Sequence, residues 1–121
     1  MTQEKRDEGC IFCKIARKEI EAEIIEETEN FICFLDANPV AKGHSLIIPK
    51  KHFTTFLDLP SNLGCELNSL IKKVADLKLK EGAEGFNVVM NNGAAAGQVV
   101  FHAHFHIIPR KKNDRIKFKS I

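Results

Sequence analysis

Apolar positions in this chain recur with two periods, and the two periods divide it into elements. Leu63, Leu67, Leu70, Ile71, Val74 and Leu77 fall at offsets 0, 4, 7, 8, 11 and 14. That spacing is one face of a helix and predicts a helix from about Asn62 to Lys80. Ser61 stands where an N-cap belongs, and Gly82 or Gly85 is a stop signal. A short helix is predicted near Ile11–Lys18. Strands are predicted near Glu23–Glu26 and Phe31–Leu35, the second rich in aromatic and β-branched residues. Ser45–Ile48 is a short apolar run ended by Pro49, which suits a buried strand. Asp36-Ala37-Asn38-Pro39 reads as a turn. Two further strands, Phe86–Met90 and Val99–Ile108, flank the glycine-containing loop Asn91–Gly97. Five strands on both sides of one long helix, without regular βαβ alternation, predict an α+β domain with a mostly antiparallel sheet.

Composition narrows the class. At 121 residues the chain is sized for one domain. Its 44 % apolar and 28 % charged residues exclude a collagen-like or disordered chain. Lys+Arg 18 against Asp+Glu 16 leaves a formal charge of +2, which argues against a nucleic-acid polymer as partner. The charge is uneven: residues 19–30 hold six Glu and no basic residue, and residues 110–121 hold six basic residues and one acid, Asp114. Residues 1–8 are expected to be a flexible polar terminus, and residues 111–121 a basic tail. The N-terminus lacks the apolar core of a signal peptide, and no apolar run approaches the roughly 20 residues of a membrane helix. A soluble, cytoplasmic protein with no membrane partner is therefore expected. In that compartment Cys10, Cys13, Cys33 and Cys65 are thiols or metal ligands rather than disulfides. Cys33 and Cys65 read as buried apolar thiols.

Candidate chemistry concentrates in Phe101-His102-Ala103-His104-Phe105-His106-Ile107-Ile108. On a strand, period 2 sends His102, His104 and His106 to one face and Ala103, Phe105 and Ile107 to the other. Such a row of imidazoles suits metal ligation or a nucleophile flanked by proton donors. Cys10-Ile11-Phe12-Cys13 is, by itself, a zinc half-site, a redox pair or chance.

The run from Gly97-Gln98-Val99 through His102-Ala103-His104-Phe105-His106 to Pro109-Arg110 resembles the signature of the histidine triad (HIT) nucleotide-binding proteins, Hint-like branch. Ile11–Ile15, Phe34-Leu35-Asp36, Gly43–His52 and Asn91-Asn92-Gly93 extend the likeness over about residues 9–110. The resemblance implies a homodimer whose sheet continues across the two-fold axis. It implies binding of a purine nucleoside monophosphate (AMP or GMP). It also implies hydrolysis at the α-phosphorus of phosphoramidates such as AMP-amine or AMP-lysine. His104 would be the nucleophile, forming a nucleotidyl-histidine that water hydrolyses, with His106 as donor and His44 as a buttress. Asp36 would hold the ribose hydroxyls. Asn91, Gln98 and the Gly97 loop would contact the phosphate or support the loop. Ile11, Phe12, Ile15 and Phe34 would wall the base pocket. Val99 stands where many Hint-like proteins carry Ser or Thr, which leaves only its backbone N–H for the phosphate. Free N–H groups across residues 93–99 are expected to cradle the oxygens, with Gly93 and Gly97 permitting close approach.

The same resemblance implies a structural zinc ion held by Cys10, Cys13, His52 and His102, a closed four-ligand shell. Three alternatives stand beside the hydrolase: a non-catalytic nucleotide-binding scaffold dimer, a dinucleoside polyphosphate hydrolase, and a metalloenzyme with all three triad histidines on one metal.

Overall fold

The computed structural model describes residues 8–117. All but the last residue of the expected flexible terminus, residues 1–8, and the last four residues of the basic tail lie outside them.

Five strands form one sheet: β1 (Ile24–Glu27), β2 (Phe31–Leu35), β3 (Ser45–Pro49), β4 (Gly85–Val89) and β5 (Phe105–Arg110). Their order is β1-β2-β3-β5-β4 and every pairing is antiparallel. The short helix α1 (Ile11–Ala16) precedes the sheet, and the long helix α2 (Gly64–Lys80) lies between β3 and β4. The α+β class, the five strands and both helices follow the sequence pattern.

The strands in the middle are buried on both faces, so they read as continuous apolar runs rather than as alternation. Phe31, Cys33, Ile47, Phe105 and Ile107 face α2 and pack on Leu67, Leu70 and Val74. The intervening residues Ile32, Phe34, Leu46 and Ile48 face the other way and pack on Phe12 and Ile15 of α1. Register locks this division: Phe34 pairs with Leu46, and Leu46 pairs with His106. His106 is thereby delivered to the α1 face.

Four boundaries differ from the sequence reading. α1 ends at Ala16, because Lys18 takes a left-handed φ of 64°. Ser61 is not the N-cap of the long helix: Ser61–Leu63 is a 3-10 turn with Pro60 at its cap position, and α2 starts at Gly64. Pro49 does not end β3 but is its last residue, paired with Phe31. Most consequentially, β5 begins at Phe105 and not at Val99. Residues 99–104 have no strand beside them, and their polar backbone groups go elsewhere: Ala103 N–H donates to the Phe53 carbonyl at 2.6 Å. Cys65 is exposed on α2, whereas Cys33 is buried as expected.

The acidic run is drawn into ion pairs around β1. Glu27 meets Lys50 at 2.7 Å and Lys18 at 2.9 Å, and Glu26 meets Lys73 at 3.2 Å. Glu66 near the start of α2 accepts from Thr28 Oγ1 and from the Asn30 backbone and side-chain amides, at 2.6–2.8 Å. Those hydrogen bonds hold its carboxyl below the usual range and fasten α2 to the β1–β2 turn. No helix among the described residues is long and apolar enough to cross a membrane.

Candidate active site

A cleft of about 720 Å³ opens on the α1 face of the sheet. Phe12, Ile15 and Phe34 form its apolar floor, Ile11 stands exposed at the rim, and its polar lining comprises Asp36, His104 and His106 together with Glu21, Glu23 and Asn38. This size and mix suit a small organic ligand with a few oriented polar contacts. Phe12 touches both His104 and Phe34 edge-on, with ring centroids 5.1 and 5.8 Å apart. Val99, 74 % exposed, lines the mouth, and Val100, Val40 and Leu46 line the cleft without having been singled out from the sequence.

The three triad histidines do not form a row on one strand. Only His106 lies in β5. His102 turns toward α1 and the cysteines, and His104 and His106 meet edge-on at 5.0 Å between centroids over the cleft. The residue types and spacing were legible, but the extended alternation behind the single-face expectation stops at Phe105.

The hydrogen bonds fix which nitrogen of each ring carries the proton. Nδ1 of His104 lies 2.7 Å from the His102 carbonyl oxygen, which only accepts, so Nδ1 holds the proton and Nε2 is bare. His44 Nδ1 accepts the Val40 backbone N–H at 3.1 Å, so its Nε2–H donates to His106 Nδ1 at 2.9 Å. His106 must then carry its proton on Nε2, and that atom is buried with no hydrogen-bond partner among the described residues. A bare nucleophilic nitrogen and an unused donor therefore stand on neighbouring rings. Asp36 accepts the Asn38 N–H through Oδ1 at 2.8 Å and sets Oδ2 3.5 Å from His44 Nε2. It is both a turn-former and a cleft residue.

Burial dominates the titration of all three. It pushes His44 and His104 below the ordinary imidazole value, against the opposing pull of Asp36 and, for His104, of the His102 carbonyl. His106 is pushed down to about 4 by burial and then by its neighbours His104 and His44. At neutral pH the tautomers deduced above are those of neutral rings.

The Gly93–Val99 loop is built differently from the expected open cradle. Gln98 is buried; its Oε1 accepts Gly93 N–H at 2.7 Å, and its Nε2 donates to the Thr54 and Val100 carbonyls. The N–H groups of Ala96, Gly97 and Gln98 are also consumed inside the loop. The expected cradle thus narrows to the N–H groups left over, Val99 among them. Gln98, Asn91 and Gly97 do not line the cleft. Gly97 has φ 95°, and a Cβ there would lie 3.5 Å from Asn91 Nδ2. Asn91 thus packs beside Gly97 at ordinary contact distance, and it is the positive φ that calls for glycine there.

Behind the triad, Cys10, Cys13, His52 and His102 converge, their donor atoms all within 4.8 Å of one another. Cys13 Sγ lies 3.2 Å from His52 Nδ1 and 3.3 Å from His102 Nδ1, and Cys10 Sγ lies 3.4 Å from His102 Nδ1. A zinc tetrahedron with bonds of about 2.0–2.3 Å has edges of about 3.3–3.8 Å, so the four residues fit that ion. The second shell fits as well: His102 Nε2–H donates to the Pro49 carbonyl at 2.8 Å, which leaves Nδ1 bare as a ligand. The other cluster able to ligate a metal among the described residues is Asp36, His44 and His106. No cluster gathers all three triad histidines, which contradicts the three-histidine metalloenzyme.

An antiparallel sheet that sets a bare imidazole nitrogen beside an imidazole donor over an apolar cleft, with a Cys2His2 cluster at its back, defines a protein organised around a histidine triad. The HIT domain profile matches residues 17–113. An uncharacterised HIT-like protein of Methanocaldococcus jannaschii is 48 % identical over 114 residues, covering 93 % of this chain and 88 % of its own. The adenosine 5'-monophosphoramidase HNT1 of Candida albicans is 44 % identical over 108 residues, covering 85 % and 71 %. A zinc-bound histidine triad family protein from Mycobacterium smegmatis superposes with a TM-score of 0.84 at 35 % identity, covering 93 % of this chain and 83 % of that one. The chain belongs to the HIT family.

Proposed function

We propose that the protein is a nucleotide hydrolase that cleaves purine nucleoside phosphoramidates, or related adenylates, at the α-phosphorus through a nucleotidyl-His104 intermediate. The observation that carries this reading is the opposite proton placement on His104 and His106 over the same cleft.

The nucleoside base lies between Phe12, Ile15 and Phe34, and Asp36 receives the ribose hydroxyls. His104 Nε2 attacks phosphorus in line with the P–N bond. That bond breaks with its electron pair going to the amine nitrogen, which takes up a proton from solvent and leaves. The imidazole now carries positive charge, which the His102 carbonyl stabilises through Nδ1–H. His106 Nε2–H hydrogen-bonds a phosphoryl oxygen or the leaving nitrogen and keeps its proton, since the ring is neutral and has no second proton to give. Water then attacks the same phosphorus, the P–Nε2 bond breaks, the water oxygen stays on AMP, and its proton goes to solvent. Positioning and charge stabilisation supply most of the acceleration in phosphoryl transfer. Gln98, Asn91 and Gly97 serve by shaping the loop, and Val99 N–H is one of its remaining donors toward the phosphate.

Cys10, Cys13, His52 and His102 hold zinc as a structural ion, since the closed shell leaves no position for a substrate. Held there, the ion would tie Cys10 and Cys13 of the α1 end to His102, the residue whose carbonyl orients His104. The relative named a monophosphoramidase and the zinc-bound neighbour support both readings. Homodimerisation through β4 completes the proposal: β4 is an edge strand whose Phe86 and Val88 are 41 % and 44 % exposed, an unpaired apolar ladder that a second copy covers.

An AMP-linked fluorogenic amine tests the activity. The wild-type protein releases amine, and His104→Ala reduces kcat/KM at least about 1,000-fold. Equal release by both proteins overturns the catalytic reading and leaves a nucleotide-binding scaffold, to which Val99 at the cleft mouth also points.

A further inference from the structure

The core-facing stripe of α2 runs Leu67, Leu70, Val74 and then Lys78. A position four residues after Val74 on that face calls for an apolar side chain. Lys78 instead carries an ammonium, is only 4 % exposed, and makes no hydrogen bond or ion pair among the described residues. The last carbonyls of the helix do not hold it, because those of Leu77, Lys78 and Leu79 accept the N–H groups of Glu81, Gly82 and Ala83. An ammonium on a largely buried side chain that no protein group partners is open to an anion.

A place for an anion exists. Lys78 borders a cavity of about 370 Å³ at the end of the sheet on the α2 face, away from the catalytic cleft. Its other walls include Gly43, Pro109, Glu81, Lys42 and Lys111. Gly43 has φ 86°, and a Cβ there would lie 3.6 Å from Lys78 Nζ, so the missing side chain leaves the space over the ammonium open. Asp114 also lines the cavity, but its carboxylate is already spent on Arg110 (2.7 and 2.9 Å) and on the N–H groups of Lys111 and Ile116. Lys42, Lys78 and Lys111 then face one uncommitted acid, Glu81, an excess of two positive charges.

We propose that this cavity is a second ligand site, taking a dianionic oxyanion of the phosphate class with Lys78 Nζ as the buried anchor and Lys42 and Lys111 at the mouth. The apolar walls Ala83, Pro109 and Ile116 leave room for a small organic group on the phosphate. The site is independent of the catalytic reading, since none of its residues reaches the His104 cleft.

Amide NMR of the full chain in a phosphate-free buffer tests it, with inorganic phosphate and glycerol 3-phosphate titrated separately. Saturable shifts of the Gly43 and Ala83 amides with either ligand support the site, and the stronger binder tells free phosphate from an ester. Lys78→Met abolishes these shifts. The exposed-site variant Lys111→Gln, which leaves the core untouched, weakens binding at least threefold. Val99 and Phe105 amides report separately on any phosphate in the catalytic cleft. Absence of saturable shifts at Gly43 and Ala83 with both ligands overturns the proposal, as do shifts unchanged in Lys111→Gln and in folded Lys78→Met.

Discussion

Backbone carbonyls, rather than side-chain acids, decide the proton placement of two triad histidines. The His102 carbonyl takes the Nδ1 proton of His104, and the Pro49 carbonyl takes the Nε2 proton of His102. In the proposed mechanism the first leaves a nitrogen bare for attack, and the second leaves one bare for a metal. His106 receives its tautomer through the relay Val40 N–H, His44, His106. Replacing His106 with Asn is therefore expected to lower kcat/KM by about 100-fold or more in the fluorogenic assay, because the unused donor over the cleft disappears. His106 also links stability to pH. The unfolded imidazole takes up a proton below about pH 6.5. The folded one resists until about pH 4. The unfolded state thus binds more protons in between, and stability falls as pH drops from 6.5 toward 4. Denaturant melts at pH 6.5 and 4.5 should show a smaller loss in His106→Asn than in the wild type. The sequence revealed which residues carry the chemistry, including His44 and His52 far from the triad. It could not reveal the carbonyl acceptors, because any residue offers one.

Single elements act as clamps on these rings. α1 contributes Phe12 to the cleft and Cys10 and Cys13 to the cluster behind it, so one short helix touches both sites. Six residues of helix are too few to be stable alone, and a metal is the economical way to hold them. Cys13→Ser is expected to lose zinc, measured by elemental analysis, and to lower the melting temperature by 10 °C or more, as loss of several kcal/mol would. His104→Ala retains the ion. At the other end, Glu66 fastens α2 to the β1–β2 turn through three hydrogen bonds, and Glu66→Ala should cost about 1–3 kcal/mol in denaturant unfolding. Helix α2 and the strands β2 and β3 were legible because burial writes their apolar pattern directly. Residues 99–104 carry a strand-like pattern for the same reason, yet tertiary contacts with Phe53 and the Cys cluster override it.

At the scale of the whole molecule, the sheet divides labour between its faces. One face carries the cleft and the Cys2His2 cluster, and the other carries α2, the core and the lysine-bordered cavity. The free edge at β4 is where the proposed second copy would join, and on that proposal Phe86→Glu with Val88→Lys should shift the protein from dimer to monomer in sedimentation. The formal charge of +2 gave no hint of the anion-binding chemistry proposed at either face. A phosphate needs local donors rather than a basic surface, and two well-placed imidazoles or one ammonium at a cavity wall hardly move a net charge. Lys78 at a core position of the helix stripe was the one visible signal of the second cavity. The most direct measurement on the catalytic centre is rapid acid- or base-quench of the enzyme during turnover of the AMP-linked amine, followed by mass spectrometry of its peptides. An adenylyl group on the His104 peptide within the first turnover, absent in His104→Ala, is the predicted result. Turnover at full rate with no adduct, or with the adenylyl group on another residue, contradicts it.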